Sequence, residues 1–217
     1  MTGHSHPPPR PDDPEPSTYY HFLGLALREL LIEKGVFTPE EERRAIEAME
    51  ARSPAMGARI VARAWVDPAY RAWLLADGRA AAEDLGAEVT APQLVVVENT
   101  AEVHNVVVCT LCSCYPRSVL GLPPAWYKSL DYRARVVREP RAVLAEFGTR
   151  LADGVEVRVH DSTADMRYLV LPLRPAGTAG WSEDALAALV TRDSMIGVAP
   201  ARTPDTQGAA VEQSDKK

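Results

Sequence analysis

The spacing of apolar positions changes near residue 90, and the change divides the chain into two kinds of secondary structure. Before it the spacing is helical. Leu23, Leu27, Leu30 and Leu31 fall on one face of a helix predicted over 19–34, and Gly35 stands where a C-terminal stop is expected. Thr38-Pro39-Glu40-Glu41 opens a second helix, with Thr38 as N-cap, Pro39 as first helical residue and Glu41 able to close a capping box. Asp67-Pro68 opens another in the same way; it carries Tyr70, Trp73 and Leu74 and is expected to end near Gly86. After residue 90 the apolar positions come as short β-branched runs. Residues 93–98 and 103–108 read as strands, 155–160 alternates in strand fashion, and 168–173 is a further strand. A helix over 182–191 follows, with Ser182 as cap and Glu183 and Asp184 in its first turn.

This order of elements predicts an α+β fold: an N-terminal helical arm over 18–88, then a layered α/β (α-β-β-α) domain over 89–202. The apolar faces of the arm are large for so short a segment. They predict packing on a partner subunit, with a self-contained helical subdomain as the alternative. Residues 1–17 are rich in Pro, Asp and His and too poor in apolar residues to offset the entropy of ordering, so a disordered tail is expected there, with His4 and His6 solvated. Residues 203–217 are polar and predict a loose C-terminal tail.

Composition narrows the class. Of 217 residues 46% are hydrophobic, enough for a core. A net charge of −6 and the lack of a basic stripe argue against a nucleic-acid partner. No apolar run approaches the length of a membrane span and no signal peptide is visible, so neither membrane insertion nor export is expected. Clustered, unpaired thiols point to the cytoplasm.

The chemistry is concentrated in Cys109-Thr110-Leu111-Cys112-Ser113-Cys114, which holds all three cysteines of the chain. The segment follows the apolar strand end Val106-Val107-Val108, and a loop held by a rigid strand is a good platform for a site. Cys112 and Cys114 are too close in sequence for an unstrained disulfide. A metal, however, can bind both sulfurs and the backbone nitrogens of Ser113 and Cys114. The three chelate rings that result have six, five and five members and form an S-N-N-S plane. Cys109 can then supply an axial thiolate, which leaves one position open to water or substrate. Three thiolates and two amidates suit a small trivalent ion such as Co(III) or Fe(III) better than tetrahedral Zn(II). So much negative charge asks for cationic surroundings. Two other readings of the same residues are a structural zinc site with His104 as fourth ligand, and a redox C-x-x-C pair that leaves Cys114 unexplained.

The flanking motifs go further. Ala64-Trp65-Val66-Asp67-Pro68, the run Leu120 to Ser129 (LGLPPAWYKS), Arg174-Pro175-Ala176-Gly177-Thr178 and Arg192 to Val198 (RDSMIGV) stand in order around the C-T-L-C-S-C core. With them the chain resembles the nitrile hydratase α / thiocyanate hydrolase γ family over about residues 19–199. The resemblance implies a metal centre held by Cys109, Cys112, Ser113 and Cys114, with Cys109 axial, Cys112 oxidised to the sulfinic acid and Cys114 to the sulfenic acid. It implies arginines of a partner subunit holding those oxygens. Thr110 and Tyr115 are similar to the cobalt class, whereas iron members usually have Ser and Thr there, so the implied cofactor is low-spin, non-corrin Co(III) rather than iron. The implied enzyme is a cytoplasmic hydro-lyase. It is an obligate heteromer with a nitrile hydratase β subunit, an α2β2 heterotetramer, served by a metal-inserting activator protein.

The implied reaction converts a small-molecule nitrile to an amide. The metal polarises the nitrile nitrogen, and the Cys114 sulfenate, or a water it activates, attacks the carbon. Cys114, Cys112 and Ser113 are the catalytic candidates. The Ser113 hydroxyl either bonds a ligand at the open position or is a small loop residue. Tyr115 and Trp126 either line the substrate pocket or pack the core. One departure bears on substrate. Cobalt nitrile hydratases typically carry a Y-P-W-P run after the last cysteine, and this chain has Tyr115-Pro116-Arg117-Ser118. That version is similar to thiocyanate hydrolase, whose anionic substrate Arg117 could hold, unless Arg117 pairs with the partner subunit. Arg28-Glu29-Leu30 and Glu33-Lys34-Gly35 also resemble that enzyme, while Leu122-Pro123-Pro124-Ala125-Trp126 is closer to nitrile hydratase. A non-catalytic metal-binding subunit is the remaining alternative.

Overall fold

The computed structural model describes residues 18–204; the two tails, with His4 and His6, lie outside the described residues. The chain divides into two units, the first ending at Glu50 and the second starting at Ala51.

The first unit holds α1 (Tyr19–Glu33) and α2 (Pro39–Glu50). Thr18 caps α1, and Gly35 turns the chain at φ +68° after it. At α2 the capping box forms as expected: Thr38 Oγ1 accepts from Glu41 N–H at 3.2 Å, and Glu41 Oε2 accepts from Thr38 N–H at 2.8 Å. Arg28 grips both carboxylate oxygens of Glu42 through Nε, at 2.6 and 2.8 Å. Neither helix buries a residue, and Tyr19, Tyr20, Phe22, Leu23 and Leu27 lie exposed.

The helical arm expected over 18–88 is thus shorter. Helices α3 (Ala55–Val66), α4 (Pro68–Ala76) and α5 (Gly78–Asp84) belong to the second unit, because α4 and α5 pack on its strand β1 (Gln93–Glu98) and α3 packs on α4 and on later helices. On α3 the buried face is made of Gly57, Ala58, Ile60, Val61, Ala62 and Ala64. Its small residues allow close approach; a Cβ on Gly57 would meet Met195 Sδ at 2.7 Å and Val119 O at 2.8 Å. The single helix expected from Asp67 to Gly86 is two. Asp67 caps α4, accepting from Ala69 and Tyr70 N–H. Asp77 then leaves the helical conformation and caps α5, accepting from Ala80 N–H at 3.0 Å.

The strands are β1 (Gln93–Glu98), β2 (Val103–Val108), β3 (Glu156–Asp161) and β4 (Met166–Leu171). The first two match the expected bounds; β3 starts one residue later and β4 two residues earlier than expected. They form two small parallel sheets, β1 with β4 and β2 with β3, amid helices, in keeping with the α+β expectation. Val106, Val107 and Val108 are buried on both faces of β2, the pattern of a strand covered on each side.

Asparagines and histidines join the two sheets. Asn105 Nδ2 donates to Glu98 O at 2.7 Å and to Asn99 Oδ1 at 3.0 Å, while Asn105 N–H donates to Asn99 Oδ1 at 2.7 Å. His160 Nε2 lies 2.8 Å from Asn105 Oδ1.

Short helices fill the connections: α6 (Arg117–Leu120), α7 (Ala125–Lys128), α8 (Leu130–Arg135), α9 (Pro140–Glu146) and, after α10 (Glu183–Ala187), α11 (Arg192–Ile196). The sequence expectation missed all but α10, and α10 is shorter than the 182–191 expected. Prolines at 116, 124 and 140 and the Ser129 cap set these turns, with no long periodic stripe to reveal them. Thr191 and Ser194 close a capping box on α11, and Gly197 ends it in the left-handed region.

Candidate metal centre

Strand β2 runs into the cysteine loop, so Cys109 is fully buried at its end, Cys114 is half-buried and Cys112 is exposed. The three sulfurs lie within 4.8 Å of one another. Cys112 Sγ is 3.5 Å from Cys109 Sγ and 3.2 Å from Cys114 Sγ, and Cys112 N–H donates to Cys109 Sγ at 3.3 Å.

The electrostatics favour an anionic Cys112. Hydrogen bonds from the Cys114 and Cys109 thiols, then from the Ser113 and Cys114 amides, hold the Cys112 thiol down to about 7. Burial, then the bond to Cys112, pushes Cys114 up to about 12, with the Arg167 charge pulling the other way. An S-N-N-S chelate would use the Ser113 and Cys114 amides, which lie between the Cys112 and Cys114 sulfurs in the chain. Soft thiolates and amide nitrogens gathered at one point fit a small transition-metal ion.

The zinc reading with His104 does not survive. His104 is buried in the sheet network, where its Nε2–H donates to Gly197 O at 2.7 Å and its Nδ1 faces Asn99 Nδ2 at 3.4 Å. It is absent from the group of potential metal ligands, which among the described residues comprises the cysteines alone.

The pocket candidates separate. Tyr115 is buried, its ring edge-on to Tyr127 at 5.1 Å, and its hydroxyl lacks a hydrogen-bond partner among the described residues. Trp126 is half-buried against Tyr132 and Phe147, with ring centroids 4.9 and 4.7 Å away. Both rings pack against other aromatic side chains of this chain. Arg117 opens α6 and is exposed, beside the loop, and Ser113 is half-buried at its edge.

Several residues that anchor the loop went unnoticed in the sequence. Tyr127 O–H donates to Cys114 O at 2.9 Å, and Tyr132 O–H to Val107 O at 2.7 Å. Arg133 and Asp161 bind the backbone around Thr110. None of them had a readable signal; Asp161 is placed by the β2–β3 register, in which it pairs with Val108, one residue before Cys109.

Comparison with known proteins identifies the family. The family described as "Nitrile hydratase, alpha chain" matches residues 18–199. The α subunit of the high-molecular weight cobalt-containing nitrile hydratase of Rhodococcus rhodochrous is 54% identical, over 86% of this chain and 94% of its own. The thiocyanate hydrolase γ subunit of Thiobacillus thioparus is 47% identical, over 83% of this chain and 79% of its own. Among solved structures, a double mutant of the Fe-type nitrile hydratase from Comamonas testosteroni Ni1 superposes with a TM-score of 0.80 at 46% identity, covering 85% of this chain and 91% of that one.

Proposed function

Since this chain belongs to the nitrile hydratase α-chain family, we propose that it is the metal-bearing subunit of a cobalt nitrile hydratase, which adds water across a C≡N bond to give an amide. The observation that carries the reading is the convergence of three sulfurs at the end of β2. Cys109, Cys112, Cys114 and the Ser113 nitrogen would hold a low-spin Co(III) ion. When bound, the ion supplies Lewis acidity toward the nitrile nitrogen. Cys112 and Cys114 would carry sulfinic and sulfenic oxygens. The Cys114 oxygen would deliver or activate the nucleophile at the nitrile carbon, and the Ser113 hydroxyl would donate to the bound substrate or water. Cobalt is favoured over iron by Thr110 and Tyr115 and by the cobalt-containing relatives.

An α chain of this family works with a β partner. The exposed Tyr19, Phe22 and Leu23 face of α1 is the surface such a partner would cover, in an α2β2 assembly loaded by an activator protein. No helix among the described residues is long and apolar enough to cross a membrane.

The test is to purify the chain with its partner, measure cobalt and cysteine oxygens, and assay amide formation from several nitriles. A cobalt-loaded, oxidised complex that hydrates none of them sinks the reading.

A second reading, hydrolysis of thiocyanate, has one observation in its favour: Arg117 is exposed within three residues of Cys114, where a guanidinium could hold an anion. Under that reading Arg117→Trp should lower thiocyanate turnover relative to a neutral nitrile by about tenfold or more, the size of one lost charge-assisted contact. An unchanged ratio removes Arg117 from the substrate argument.

A further inference from the structure

All three polar groups of Thr110 are engaged by other parts of the chain. Its N–H donates to Asp161 Oδ1 at 2.9 Å and its hydroxyl to Asp161 Oδ2 at 2.5 Å. Its carbonyl accepts from Arg133 Nη2 at 2.7 Å, and Arg133 Nε reaches the Cys109 carbonyl at 3.0 Å. Asp161 ends β3 and Arg133 lies in α8, so two separate elements grip the loop from either side.

We propose that Asp161 and Arg133 are positioning residues for the metal centre, fixing the turn from Cys109 to Cys112 in its metal-receiving shape before any ion arrives. The proposal rests on the cobalt-centre reading above. A loop held this way loses its conformational freedom during folding, so that cost is not subtracted from metal affinity. The hydroxyl of Thr110, one of the two residues that mark the cobalt type, is taken by Asp161. Thr110 therefore acts on the metal through the anchoring of the loop.

The test uses the assembled complex. Thr110→Val keeps the shape and removes the donor, Thr110→Ser keeps the donor, and Asp161→Asn places an amide where both contacts need an acceptor. Cobalt per complex at limiting cobalt and oxygens on Cys112 and Cys114 are read by elemental analysis and mass spectrometry, beside the melting temperature. Thr110→Val and Asp161→Asn should each weaken cobalt retention about 10–100-fold, the usual effect of losing a group that orients metal ligands. Thr110→Ser should retain cobalt, and the double variant should be no worse than the worse single one, as expected for one shared contact. Arg133→Met should act in the same direction and Arg133→Lys less. Thr110 is exposed, so its valine variant decides the matter even if Asp161→Asn fails to assemble. Thr110→Val filling with cobalt and oxygen as wild type does overturns the proposal. A wild-type complex that takes up no cobalt overturns the metal-centre reading itself.

Discussion

Cys109→Ala should yield a folded complex without cobalt, whose amide formation is lower by about three orders of magnitude or more. The loss is large because Cys109 would be one of the thiolates that hold the ion, and the bound ion would supply the Lewis acidity that activates the nitrile. The fold should survive. The substitution removes one sulfur from a fully buried site, at a cost of about 1–2 kcal/mol on the scale of small core truncations. It also leaves the Cys112 N–H without its 3.3 Å acceptor, a contact at the partly exposed edge of the loop. Both effects are small against a typical stability of about 5–15 kcal/mol. Cobalt content, circular dichroism and nitrile turnover separate the outcomes. A variant that keeps cobalt and wild-type turnover takes Cys109 out of the ligand set.

The second large effect concerns folding. Gly197 ends α11 at φ +90°, and a Cβ there would lie 2.0 Å from Asn105 O and 3.0 Å from Val106 Cα. These are backbone atoms of β2, which cannot rotate aside. Left-handed strain of about 1–2 kcal/mol and overpacking of about 1–3 kcal/mol together predict about 2–5 kcal/mol lost in Gly197→Ala. For a chain of this size that is a fall in Tm of roughly 5–15 °C. Gly148 is the control: it also has positive φ, +84°, but nothing lies within 4 Å of its ideal Cβ. Gly148→Ala should show the strain alone. Equal losses at the two positions would mean that the close approach to β2 is unimportant. Since β2 delivers Cys109, Gly197→Ala should also lower cobalt uptake in whatever protein still folds.

What the sequence revealed follows from which physical signals are local. The β-branched runs of β1 and β2, the caps at Thr38, Asp67 and Ser182, and the clustering of three thiols all lie within a few residues of the feature they specify. Strand pairing has no such signal. Nothing in the apolar pattern says that β1 takes β4 and β2 takes β3, and the positions of Asp161 and His160 depend on that pairing. The boundary expected near residue 88 moved to 50 because the small-residue face of α3 fits the core of the second unit, and spacing alone does not say what a face packs against. Asp77 looked like an ordinary polar residue within a helix, and its role as a second cap depends on where Gly78 meets Leu94. Arg133 lies 24 residues from the loop it holds, and only the folded path of α8 brings it back.

The unequal depth of the three sulfurs gives the loop a chemical direction. Cys109 is sealed in the wall of the domain, while Cys112 faces solvent and Cys114 lies between them. In the chain without its partner, an oxidant from solvent would meet Cys112 first and Cys114 next, with Cys109 buried. Oxidation that follows access would thus mark two thiols and spare the third without any enzyme to choose among them. On this view the selectivity is a matter of burial, set when β2 folds and before the first oxidant arrives.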